Sequence, residues 1–88
     1  MKQTTHKPLL NRLKRIEGQI RGLQRMVEGG TYCVDIITQT SAVKKALSGV
    51  EDELLKSHLS SCVIDQIKNG KQGKATEEIL KVYSLKRN

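Results

Sequence analysis

The sequence has no tryptophan and no phenylalanine, a single proline and only two cysteines. With Tyr32 and Tyr83 as its only large aromatics, a chain of 88 residues must build its core from Leu, Ile and Val. Such a core is thin, and chains of this size usually gain stability from oligomerisation, a metal or disulfides. The opening stretch, MKQTTHKPLLNRLKRIEGQ, lacks the run of roughly seven apolar residues that a secretory signal requires. No later segment approaches the roughly 20 apolar residues of a membrane span, so a cytoplasmic protein with no membrane partner is expected. In that reducing compartment two cysteines read as a metal-binding or redox-sensing pair rather than a structural disulfide. Enzymatic machinery is missing as well: there is no acid/base pair, nucleophile constellation or glycine-rich phosphate loop, and the length leaves room for one domain over 1–88. No enzyme is expected.

Acidic side chains are also scarce. Sixteen Lys and Arg face nine Asp and Glu, for a formal net charge of +7. An excess of that size on a small chain points to a polyanionic partner, with nucleic acid the first candidate. A solvated basic surface has the same composition, so the distribution of the charges must decide.

What is present is helical periodicity. Apolar residues recur at Leu9, Leu13, Ile16, Ile20, Leu23 and Val27 in alternating steps of four and three, which predicts an amphipathic helix over about 8–28, opened by Pro8 and stopped by Gly29 and Gly30. Thr31 is placed to cap a second helix over about 32–67, whose apolar face runs through Ile36, Val43, Val50 and Leu54, with Ile37, Ala46 and Leu47 beside it. Lys68 to Gly73 form a polar, glycine-bearing turn. Ala75, Ile79 and Val82 then predict a short third helix over about 74–85, with Glu77 and Glu78 in its first turn. The fold class is all-α. Three helices of such unequal length cannot close a bundle within one chain, so a second copy is expected to cover the apolar stripe of the middle helix in an intermolecular four-helix bundle.

Two potential metal ligands share one turn. His58 and Cys62 are four residues apart on the second helix and can grip one ion. Cys33 lies 25 positions before His58, roughly 37 Å along a continuous helix but close to seven whole turns away, and therefore on nearly the same face. If two copies pack antiparallel about a two-fold axis near Ala46 and Leu47, Cys33 of one chain reaches His58 and Cys62 of the other. Two thiolates and an imidazole suit Cu(I), or with a fourth ligand Zn(II) or Ni(II). Spacing alone leaves open that the cysteines are small buried hydrophobes and the histidine an ordinary helix residue.

The segments TYCVDIITQTSAVKKAL and KSHLSSCV, preceded by LNRLKRIEGQIRG, resemble the CsoR family of copper-sensing operon repressors over nearly the whole chain. The resemblance implies an antiparallel dimer core, usually paired into a homotetramer, that binds operator DNA when metal-free and releases it when the inducer binds, derepressing efflux genes. It implies Cys33, His58 and Cys62 as a trigonal Cu(I) set, with Tyr32 and Glu78 supporting the ligands from outside. Other branches of the family sense nickel or cobalt, formaldehyde or reactive sulfur. The sulfur branch resembles this chain at both cysteines but has no histidine at position 58; the nickel branch uses an N-terminal histidine from which His6 is displaced. A thiol switch between Cys33 and Cys62, or a nickel sensor, is the alternative.

For DNA, Arg12, Lys14, Arg15, Arg21 and Arg25 lie outside the apolar seam of the first helix, preceded by Lys2 and Lys7. Such a surface neutralises phosphates and gives salt-sensitive affinity. No helix-turn-helix, zinc-finger or aromatic RNA-binding signature is present, which leaves phosphate contacts and DNA shape as the means of recognition. Arg12 and Arg15 fall in the block that matches the family's operator-binding region; Lys44 and Lys45 are weaker candidates. Asp52 stands where some relatives carry a basic residue.

Overall fold

The computed structural model describes residues 6–87, and side chains from Lys7 onward; Lys2 and the side chain of His6 lie outside them. The described chain is helical throughout apart from two short turns. Helix α1 spans His6–Glu28. Helix α2, Cys33–Ser57, runs through one π turn, His58–Cys62, into α3, Val63–Lys68, as a single rod. Helix α4 spans Gln72–Arg87.

Both turns are built on a glycine in the left-handed region, Gly30 at φ 68° and Gly70 at φ 74°. After α1, the Thr31 N–H donates to the Met26 carbonyl and the Gly30 N–H to that of Val27. After α3, Lys71 and Gly70 repeat the pattern onto Gln66 and Ile67. These paired bonds satisfy the terminal helix carbonyls, and a β-carbon at either glycine would be strained.

Two expectations change here. Thr31 does not cap α2, because the helix begins at Cys33 and Thr31 lies one residue outside the cap position. The boundary residue is Tyr32, at φ −55° and ψ 134°, and it supplies no side-chain cap. Its carbonyl instead accepts from the N–H groups of Asp35 and Ile36. Helix α4 starts at Gln72, so its first turn carries no acid and Glu78 lies beyond it.

The apolar face of α1 divides into two rows of heptad spacing. Leu9, Ile16 and Leu23 pack with Val43, Ala46 and Val50 in an antiparallel hairpin, which forms the core. Leu13, Ile20 and Val27 remain 43%, 44% and 64% exposed, and Ile37, Leu47 and Leu54 of α2 are also exposed. The molecule measures 56 × 27 × 13 Å, so its thin direction is a single layer of helices. Its radius of gyration is 17.2 Å, against about 12 Å for a compact chain of this length. Its accessible surface of 7000 Å² likewise exceeds the roughly 5,200 Å² of a compact monomer of 9.9 kDa.

Candidate metal centre and nucleic-acid interface

His58 and Cys62 begin and end the π turn. The Val63 N–H reaches back five residues to the His58 carbonyl, the bond that defines such a turn. Two serine hydroxyls bond back to the main chain within it. Ser61 Oγ donates to the Ser57 carbonyl at 2.8 Å and Ser60 Oγ to the same oxygen at 3.3 Å. Hydroxyls that back-bond in this way compete with the regular i→i−4 ladder. In an α-helix four residues overshoot a full turn by about 40°, so His58 and Cys62 lie on adjoining lines of one face. Both side chains are half-buried. Ser61 Oγ also lies 4.0 Å from Cys62 Sγ, with its one proton on the shorter bond to Ser57.

Cys33 is a free, exposed thiol in the first turn of α2, at the far end of the same rod. Tyr32 sits beside it, 68% exposed. Among the described residues, no three His, Cys, Asp or Glu side chains of one chain converge on a metal-sized site. In a single chain His58 and Cys62 therefore stand toward one end of the rod and Cys33 at the other.

Glu78 comes from α4 into the cleft that also contains His58. This cleft, of about 390 Å³, is lined by Leu54, Leu55, Val82 and Leu85 between charged ends that include Glu78, Lys81 and Lys86. The Glu78 carboxyl is held below its ordinary value, first by the hydrogen bond from Gln66 Nε2, against the opposing effect of desolvation, and then by Lys74, His58 and Lys81. Among the described residues no hydrogen bond joins Glu78 to His58. At the far end of α4, Lys86 Nζ binds the Ser48 hydroxyl at 2.8 Å, Asp52 at 2.9 Å and Glu51 at 3.2 Å. The Asp52 carboxylate, followed by that of Glu51, raises the Lys86 pKa against its partial desolvation. Asp52 is thus engaged with its own chain. Neither Gln66 nor Lys86 carries a spacing signal in the sequence, since their partners lie 12 and up to 38 positions away.

The basic residues of α1 fall on two aspects of the helix. Lys7, Lys14 and Arg21 recur every seven positions and, with Arg25, form an exposed stripe on the side away from the Leu9–Ile16–Leu23 row. Arg12 and Arg15 flank the hairpin instead. They line a groove of about 340 Å³ with Ile16, Gln19, Ala46 and Gly49. All six are exposed, and the one ion pair among them, Arg21 to Glu17 at 3.7 Å, is at the surface. Lys44 and Lys45 are exposed on α2. No helix of the described residues is long and apolar enough to cross a membrane.

Comparison with known proteins identifies the family. The copper-sensing transcriptional repressor CsoR of Bacillus subtilis (strain 168) is 52% identical over 75 residues, which cover 85% of this chain and 74% of that protein. The copper-sensing transcriptional repressor RicR of Mycobacterium tuberculosis (strain H37Rv) is 50% identical over 62 residues, 70% of this chain and 65% of that one. The crystal structure of the copper-sensing repressor CsoR with Cu(I) from Geobacillus thermodenitrificans matches with a TM-score of 0.91 at 38% identity, over 100% of this chain and 92% of the other. These relatives are transcriptional repressors rather than enzymes. The family described as metal-sensitive transcriptional repressor matches residues 5–84, and the chain belongs to it.

Proposed function

We propose that this protein is a cytoplasmic, copper-responsive repressor that holds operator DNA when metal-free and releases it when Cu(I) binds, derepressing copper-efflux genes. One observation carries the reading: a half-buried His58–Cys62 pair shares one turn, while the only other thiol of the chain is exposed at the opposite end of the same rod. Two chains laid antiparallel along α2 would bring Cys33 of each to His58 and Cys62 of the other, giving two equivalent sites. The uncovered Leu13–Ile20–Val27 row and the exposed Ile37, Leu47 and Leu54 supply an apolar face for that pairing. Two such dimers would make the tetramer, with residues 1–88 acting as a single domain.

The donor set fits a soft ion. Two thiolates and one imidazole satisfy low-coordinate Cu(I), whereas Zn(II) or Ni(II) would need a fourth ligand. Bound there, Cu(I) supplies soft-ligand bonds that tie the two chains at a fixed relative position of their rods. Glu78 then stands beside His58 to accept from the ring nitrogen that faces away from the ion. Tyr32 would arrive with Cys33. On the DNA side, the Lys7, Lys14, Arg21 and Arg25 stripe meets phosphates, while Arg12 and Arg15 are set in the groove over Gly49 and move with any change in the α1–α2 packing. Metal and operator favour different states, so each weakens the other, by about 5 to 150-fold for a coupling of about 1–3 kcal/mol.

The test is operator release under titration with Cu(I), Ni(II), Zn(II) or a persulfide donor at fixed salt. Release by Cu(I), lost in Cys33→Ser, His58→Ala and Cys62→Ser, is expected. Mixing the Cys33→Ser and Cys62→Ser chains should restore one intact site per heterodimer. Operator affinity unmoved by saturating Cu(I) rejects the proposal, and release by the persulfide donor alone assigns the cysteines to a thiol switch.

A further inference from the structure

Gln66 stands four positions after Cys62 and eight after His58, so the three side chains descend one face of the α2–α3 rod. Across from them is α4. Gln66 Nε2 donates to Glu78 Oε1 at 2.7 Å, the one side-chain hydrogen bond among the described residues that joins α3 to α4. The other end of the amide is fully buried and has no partner: Gln66 Oε1 is among the protein's own atoms without a donor. That orphan fixes which way the amide faces. Flipped, it would bring its oxygen against the Glu78 carboxylate and leave an N–H buried without an acceptor, which is worse on both counts. The Glu78 carboxylate is therefore gripped by one oxygen, and Glu78 lines the cleft shared with His58.

We infer that Gln66 is the positioning residue for Glu78: its amide holds the carboxylate where it can read His58, and so links occupancy of the metal ligands to the placement of α4. Gln66 does not touch the ion, and the inference rests on the metal-sensing reading above. It separates two jobs that one hydrogen bond could do. If the bond only staples α3 to α4, any side chain that keeps the helices packed will serve. If it orients a carboxylate, both the amide donor and the carboxylate are required, and losing either is equivalent to losing both.

The experiment is a double-mutant cycle on Gln66→Met, Glu78→Gln and the double variant, with Gln66→Lys as a donor-restoring control. Each chain is read for its metal-free thermal midpoint, its metal-free operator affinity, its Cu(I) affinity against a competing chelator, and the ratio of operator Kd with and without Cu(I). Methionine at 66 removes the orphaned oxygen at similar volume, so the chain should still fold and bind operator when metal-free, with a thermal midpoint lowered only by the loss of the hydrogen bond to Glu78. The Kd ratio should fall about fivefold or more in either single variant, no further in the double, and return with Gln66→Lys. In the metal-free wild type, the Gln66 side-chain amide resonance should shift on Glu78→Gln; an unmoved resonance denies the contact. Wild-type release with an unchanged ratio in Gln66→Met, or additive losses in the cycle, overturns the inference alone. Failure of wild-type release rejects the function and the inference together.

Discussion

Ile16 and Ile20 are the same residue type on the same helix, one turn apart, yet they should respond to truncation in different ways. Ile16 is 5% exposed in the hairpin seam, whereas Ile20 is 44% exposed in the row that the chain leaves open. Ile16→Ala removes atoms from a packed core, and such truncations cost about 2–5 kcal/mol whatever the protein concentration. Ile20→Ala removes surface that a second copy would cover in the proposed dimer. Fully burying an Ile side chain contributes about 1.5–3 kcal/mol, so covering the 44% still exposed is worth about 0.7–1.3 kcal/mol per chain. A two-fold axis doubles that, which corresponds to roughly a tenfold or greater rise in the dimer dissociation constant. Sedimentation equilibrium over nanomolar to micromolar protein measures it directly, with Arg25→Ala, about 140° round α1 from Ile20, as the control. A dissociation constant for Ile20→Ala within about threefold of wild type would refute the assignment of this row to the interface.

Three further outcomes follow from the same coordinates. The raised pKa of Lys86, due chiefly to Asp52, means that its stabilisation is complete below the ordinary lysine value of 10.5 and disappears as alkaline titration passes the raised value. Lys86→Met should accordingly flatten the fall of melting temperature in that window, and a slope identical to wild type would remove the clasp from the account. Glu78 behaves in the opposite sense: its lowered pKa gives stability present above the ordinary 4.5 and lost as pH falls through the depressed value. Acid unfolding of Glu78→Gln should lack that component. For operator binding, replacing Lys14 or Arg21 by Ala should reduce the slope of log affinity against log salt by about one for each phosphate left unneutralised; slopes equal to wild type would take the stripe away from DNA.

The repeat at Leu9 through Val27 announces α1 and its apolar face, and the paired glycines announce both turns. Periodicity cannot say which of two heptad rows meets the chain's own second helix, because both are equally apolar; only the hairpin geometry separates Leu9–Ile16–Leu23 from Leu13–Ile20–Val27. Thr31 looks like a cap because threonine favours that position, but it belongs to the closure of α1 and α2 begins one residue too late for it to serve. The polar run Lys68–Gly73 reads as loop throughout, yet one glycine suffices for the turn and α4 resumes at Gln72. The His58/Cys62 spacing is legible, whereas the π turn between the two residues leaves no trace in patterns of hydrophobicity. Gln66 and Lys86 escape such patterns for the same reason as most polar tertiary pairs: their meaning lies in partners remote in sequence.

A body 13 Å deep has no interior in which a disturbance can be absorbed. Whatever docks on one broad side of the α1–α2 sheet of rods and whatever docks on the other are separated by a single backbone. A small slide of that backbone displaces both docking surfaces at once, so a protein built this way can be stiff, small and responsive without needing a hinge.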